Sequence, residues 1–135
     1  MAVKIGINGF GRIGRGFVRA CRRSKINAEI VAVNDVADAR TLAHLLKYDS
    51  VFGKLDADVK LVPGGFSVNG NEIRVLSHRD PGELPWSELG VDIALESTGF
   101  FTDRDQASKH LRAGAKKVLI TGPASNPDAT IVVGV

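Results

Sequence analysis

The chain is 135 residues long, 44% hydrophobic and 24% charged, a composition that fits one folded domain and excludes a disordered segment. Its 18 basic and 15 acidic side chains are spread along the chain and leave a formal charge of +3, so neither nucleic acid nor a membrane surface is expected as a partner. The single cysteine, Cys21, excludes an internal disulfide framework and a thiolate-rich metal site; with no secretory leader pattern after Met1 and no long apolar run, a cytoplasmic protein is expected.

Residues 3–8 are apolar, β-branched and bounded by glycine, which predicts a buried parallel strand. Over residues 11–23, Ile13, Phe17, Val18 and Cys21 recur at helical spacing and predict an amphipathic helix packed on that side, with the arginines on the other, solvated side. Arg19, Arg22, Arg23 and Lys25 close it, where cations suit the negative end of the helix dipole. Residues 29–34 are a second apolar run, completing the strand-helix-strand unit of a parallel sheet. Leu42, Leu45 and Leu46 predict a helix over 38–48 lying on the sheet, capped by Asp38 or Thr41.

Between 58 and 76 the pattern turns to short β-like runs, with Asn69-Gly70 as a two-residue hairpin turn, so an antiparallel excursion interrupts the parallel winding. Residues 79–86 form a connection ending on Trp86, read as a packing anchor, and 91–95 a further buried strand. Residues 103–113 predict a helix with Ala107 and Leu111 on one side, stopped by Gly114, and 117–120 the next strand. A loop with Gly122-Pro123 and Asn126-Pro127 then leads to an apolar run at 130–135. The expected fold is a Rossmann-type doubly wound parallel α/β sheet with an antiparallel hairpin insertion, one domain over 1–135. His44, His78 and His110 stand without a neighbouring carboxylate-histidine pattern and are assigned surface or packing roles, with no metal site.

Gly9, Gly11 and Gly14 form a G-x-G-x-x-G set between the first strand and the first helix. The first allows the tight turn, the second lets backbone approach a diphosphate, and the third lets helix and strand pack closely. Free amides and the positive dipole end of the helix then face the anion. Asp35, 21 positions past Gly14, ends the second strand, where a carboxylate accepts from ribose hydroxyls and repels a 2′-phosphate. These features favour NAD over NADP, while FAD and a nucleotide-sugar remain compatible with them.

The stretch Asn8-Gly9-Phe10-Gly11-Arg12-Ile13-Gly14-Arg15 resembles the opening signature of the phosphorylating glyceraldehyde-3-phosphate dehydrogenases. Leu42-Ala43-His44-Leu45-Leu46-Lys47-Tyr48-Asp49-Ser50, Arg79-Asp80-Pro81, Glu96-Ser97-Thr98-Gly99 and Gly114-Ala115-Lys116-Lys117-Val118 follow in the family's order, so the resemblance spans the chain. It implies NAD as cofactor, a turn of Gly9, Phe10, Gly11 and Gly14 with the amides of Arg12 and Ile13 on the diphosphate, and Asp35 on the ribose. It also implies that Arg79 borders the adenine through its backbone, that Ser97, Thr98, Gly99 and Phe100 form the adjoining wall, and that Thr121 lies toward the nicotinamide. Ile120-Thr121-Gly122-Pro123-Ala124 departs from the family's usual Ile-Ser-Ala-Pro-Ala, keeping a hydroxyl and loosening the backbone at Gly122. For Tyr48-Asp49-Ser50 the resemblance suggests a cofactor edge or a subunit boundary, and a helix end with a polar turn accounts for it equally.

The family's glycolytic chemistry oxidises an aldehyde to an acyl phosphate, with a cysteine as nucleophile and hydride transfer to NAD. Its Ser-Cys-Thr-Thr-Asn motif is expected beyond Val135, and Cys21 reads as a buried structural thiol. The resemblance therefore implies an NAD-binding domain without the catalytic domain, binding cofactor but not turning over, from a family of homotetramers. An erythrose-4-phosphate dehydrogenase portion, or a non-catalytic NAD- or RNA-binding module, stand as alternatives.

Overall fold

A computed structural model describes residues 2–122 and 127. In chain order the elements are β1 (Val3–Asn8), α1 (Arg12–Ser24), β2 (Ala28–Asn34), α2 (Ala39–Lys47), β3 (Tyr48–Asp49), β4 (Gly53–Lys54), β5 (Val59–Val62), β6 (Gly65–Val68), β7 (Asn71–Leu76), α3 (Trp86–Leu89), β8 (Ile93–Glu96), α4 (Arg104–Arg112) and β9 (Lys117–Ile120), with a 3-10 turn at Pro81–Glu83. The expected loop past Gly122 and the run at 130–135 lie outside the described residues, Pro127 apart.

The main sheet has seven strands in the order β5-β6-β7-β2-β1-β8-β9. β7, β2, β1, β8 and β9 are mutually parallel, and β5 and β6 extend that sheet as antiparallel strands beside β7. The Asn69-Gly70 turn joins β6 to β7 with φ of 50° and 87°, the left-handed pair that a two-residue hairpin needs. The antiparallel excursion is thus the extended edge of the same sheet, and its last strand, β7, rejoins the parallel winding next to β2. The strand order changes direction at β1, which lies between β2 and β8, and this leaves a crevice at the carboxyl ends of β1 and β8.

Two apolar layers hold the sheet. One face packs Ile5, Ile7, Val33, Phe66 and Leu95 against Val18 of α1 and Leu42 and Leu46 of α2. The other packs Ala32 and Ala94 against Leu84, Trp86, Val91 and Ala115. Trp86 is fully buried over Gly6, where a Cβ would lie 2.5 Å from the indole ring. Asp38 caps α2 by accepting from the Thr41 amide, and Asp103 caps α4 from the Gln106 amide.

Four side chains sit differently from the sequence expectation. Ile13 is 56% exposed at the start of α1, and Leu45 lies at the solvent edge of the α2 stripe, because Leu42, Ala43 and Leu46 take the buried positions. Arg19 is buried rather than part of an exposed basic helix end; its Nη2 donates to the carbonyls of Leu46 and Gly53 at 2.7 and 3.0 Å, bridging the end of α2 to the β3-β4 hairpin. On α4 the inward face is Ala107 and His110, and Leu111 is exposed, since His110 is drawn into a buried polar contact described below.

Candidate functional site

The chain leaves β1 through Gly9, whose φ of +93° is a left-handed conformation open to glycine. A Cβ there would stand 2.8 Å from the Thr98 amide nitrogen, and one at Gly14 would stand 2.6 Å from the Gly9 carbonyl oxygen. Both glycines therefore serve close packing. Gly11 differs: it is the N-cap of α1, gives no side-chain cap, and among the described residues nothing lies within 4 Å of where a Cβ would be. The first amides of α1 have no intrahelical acceptor, and no acidic residue stands in the first turn at the positive end of its dipole. That cradle has the shape and sign for a diphosphate.

Phe10 contributes backbone only. Its ring is 1% exposed and packs on Phe66 at 6.0 Å between centroids. Its amide donates to Asp35 Oδ2 at 2.9 Å, and the Ala37 amide donates to Asp35 Oδ1 at 3.0 Å. The half-buried carboxylate is held beside the glycine turn, and each oxygen keeps acceptor capacity for a sugar hydroxyl. Arg12 and Ile13 open α1 with exposed side chains.

Ser97, Thr98, Gly99 and Phe100 follow β8 and lie against the turn. Ser97 Oγ donates to the Gly9 carbonyl at 2.5 Å, and Thr98 Oγ1 accepts from the Phe100 amide at 3.1 Å. Those two hydroxyls are engaged within the protein, and the Phe100 ring is exposed. Arg79 is exposed on the opposite flank, just past His78, whose backbone is gripped by Asn34. Thr121 follows β9, with its amide donating to the Glu96 carbonyl at 3.1 Å. The turn, Asp35, Ser97 and Thr98 are thus in direct contact, whereas Arg79 and Thr121 join through Asn34 and Glu96.

Beneath this crevice runs a buried polar chain that sequence reasoning missed. The register pairs Asn34 with Asn8, and Asn8 with Glu96, at the ends of β2, β1 and β8. Asn34 Nδ2 donates to Asn8 Oδ1 at 2.8 Å, and Asn8 Nδ2 to Glu96 Oε1 at 2.7 Å. Trp86 Nε1 donates to His110 Nδ1 at 2.9 Å, and His110 Nε2 lies 2.8 Å from Glu96 Oε1. An indole N–H only donates, so Nδ1 of His110 is the acceptor and Nε2 carries the proton given to Glu96. His110 is therefore a neutral donor with a carboxylate partner; it has a packing role, and its partner Glu96 stands on another element where the sequence around the histidine did not reveal it. Burial opposes the charge on Glu96, but the hydrogen bonds from His110, Thr98 and Asn8 outweigh it and hold the carboxyl below its ordinary range. The available signal was polar residues closing three apolar strands.

The strand order, the bare glycine cradle and the carboxylate held at the end of β2 define a dinucleotide-binding Rossmann domain. Residues 3–104 match the family model for the glyceraldehyde 3-phosphate dehydrogenase NAD-binding domain. Over all 135 residues the chain is 62% identical to glyceraldehyde-3-phosphate dehydrogenase of Geobacillus stearothermophilus, 60% to that of Priestia megaterium and 58% to glyceraldehyde-3-phosphate dehydrogenase 1 of Bacillus subtilis. The chain belongs to the glyceraldehyde-3-phosphate dehydrogenase family and corresponds to its NAD-binding domain. It spans 40% of the length of each of these relatives. Among the described residues, no helix is long and apolar enough to cross a membrane.

Proposed function

We propose that this chain is the cofactor-holding portion of a glycolytic, cytoplasmic, homotetrameric glyceraldehyde-3-phosphate dehydrogenase, and that by itself it binds NAD without turning over an aldehyde. The reading rests above all on Gly11: the space that the described residues leave at its missing Cβ, at the start of α1 without a side-chain cap, is where backbone amides receive a diphosphate. Bound NAD supplies the hydride acceptor for aldehyde oxidation. The amides of Arg12 and Ile13 bind the diphosphate, with Gly9, Phe10, Gly11 and Gly14 setting the turn. Asp35 accepts from the adenine ribose, Arg79 and Ser97 to Phe100 border the adenine, and Thr121 lies toward the nicotinamide. Cys21 has no part in the chemistry: it lies half-buried on α1, less enclosed than expected, and desolvation still pushes its thiol up, the reverse of what an attacking thiolate needs.

The names of the relatives favour glyceraldehyde 3-phosphate over erythrose 4-phosphate as the whole enzyme's aldehyde. Titration calorimetry tests the cofactor reading directly. NAD binds, NADP binds at least about tenfold more weakly because Asp35 repels the extra phosphate, and Asp35→Ala weakens NAD by about tenfold. Equal affinity for NAD and NADP would overturn the ribose assignment.

A further inference from the structure

We propose that Glu96 is a positioning residue for the coenzyme: its carboxylate ties the Ser97–Phe100 wall to the core of the domain and so fixes that wall against the glycine turn. The inference rests on the NAD reading above and adds to it a group that contacts no ligand. Glu96 is 2% exposed. Asn8 Nδ2 and His110 Nε2 meet its Oε1 at 2.7 and 2.8 Å, while the Thr98 amide and hydroxyl donate to its Oε2 at 3.0 and 2.6 Å. One oxygen thus belongs to the core and the other to the wall.

The wall side continues outward. Thr98 Oγ1, having given its proton to Glu96, accepts from the Phe100 amide, which orders the chain through Gly99 at φ +82°. Gly9, whose carbonyl takes the Ser97 hydroxyl, would clash with Thr98 if it carried a Cβ. Wall and turn are therefore in van der Waals register, and a small shift of Thr98 changes the shape of the crevice.

The core side reaches the opposite flank. Asn8 passes to Asn34, whose side chain both donates to the His78 carbonyl at 2.7 Å and accepts from the His78 amide at 2.8 Å. The segments before and after the crevice, at His78 and at Thr98, hang from one chain of side chains across β2, β1 and β8. Its donors all point toward Glu96 from the α4 side, because Trp86 only donates and His110 relays that direction. Glutamine has the same shape, but its NH2 end would face donors on one side or the other, so one half of the clamp must break.

The test uses the 135-residue chain and its variants Glu96→Gln, Thr98→Val, Thr98→Ser and, as a control, Asp35→Ala. NAD affinity is measured by calorimetry at a temperature where each variant is folded. The indole N–H resonance of Trp86, the only tryptophan, is followed by NMR as a report on the chain of hydrogen bonds. Glu96→Gln and Thr98→Val are expected to weaken NAD about tenfold, and Thr98→Ser, which restores the hydroxyl, to return it to within about twofold of the parent. The Trp86 resonance moves in Glu96→Gln and holds in Thr98→Ser. A purely structural role would lower melting temperatures and leave the affinity of the folded protein unchanged. Unaltered NAD affinity in Glu96→Gln and Thr98→Val, with Asp35→Ala still weakened, overturns the positioning role and leaves the NAD reading standing. Failure of the parent chain to bind NAD overturns both.

Discussion

A methyl group added at Gly9, Gly11 or Gly14 meets three different environments, although all three positions belong to one motif. At Gly11 it meets nothing within 4 Å among the described residues. Gly11→Ala is expected to keep the melting temperature within a few degrees, since alanine at an N-cap costs only about 1 kcal/mol, while NAD affinity falls about tenfold or more as the methyl occupies the diphosphate's place. At Gly9 the φ of +93° and the 2.8 Å approach to Thr98 make alanine a folding defect, about 2 kcal/mol or more in urea titration. Stability and binding thus separate within the motif. The three glycines were legible in the sequence as a set; their division into packed and open members was not, because it depends on where Thr98 lies, 89 positions from Gly9.

Among the elements, α1 shows most clearly how tertiary contacts override a local pattern. Its apolar stripe predicted burial of Ile13 and solvation of Arg19, and the structure reverses both. Ile13 stands in the first turn, where the helix projects into the crevice, and Arg19 faces the carbonyls that end α2 and the hairpin of β3 and β4. Carbonyls at a helix end require donors, and a guanidinium supplies several from one position. Arg19→Met, which retains the stem but not the donors, is expected to destabilise the domain by about 2–3 kcal/mol and to expose residues 48–54 to limited proteolysis. Wild-type stability in urea for that variant would show the hairpin to be held by other contacts. On α4, the helix and its cap at Asp103 were readable, but not the roll that buries His110 and exposes Leu111, which follows from Glu96 on another strand.

For the molecule as a whole, acid is the condition that loads the buried chain of polar groups. The carboxyl of Glu96 is held below its ordinary range in the fold, so between the folded and unfolded values the unfolded chain binds more protons. Its contribution is fully present above about pH 5, where even an unfolded glutamate with a pKa near ~4.3 is mostly charged, and is lost as pH falls through the lower folded value. The carboxylates of Asp38, Asp49, Asp80 and Asp92 shift in the same direction, chiefly through backbone amides that donate to them. Thermal melts are therefore expected to be steady toward neutral pH and to fall steeply below about pH 4.5, with a shallower acid limb in Glu96→Gln. An unchanged slope in that variant would place the acid lability elsewhere.

Most of the order of strands and helices, though not the β3-β4 hairpin or the short α3, the Asn69-Gly70 turn, and the glycine turn with Asp35 after β2 were legible locally, because each depends on the conformational preferences or spacing of residues near one another in the chain. The caps at Asp38 and Asp103 belong with them. What only the tertiary structure decided was which side chains meet across strands: the placement of β7 beside β2, the burial of Arg19, and the line from His78 through Asn34, Asn8 and Glu96 to His110 and Trp86. Strand register sets those meetings, and register is a property of the assembled sheet; a lone asparagine at the end of an apolar run reads the same whether its partner is water or another strand.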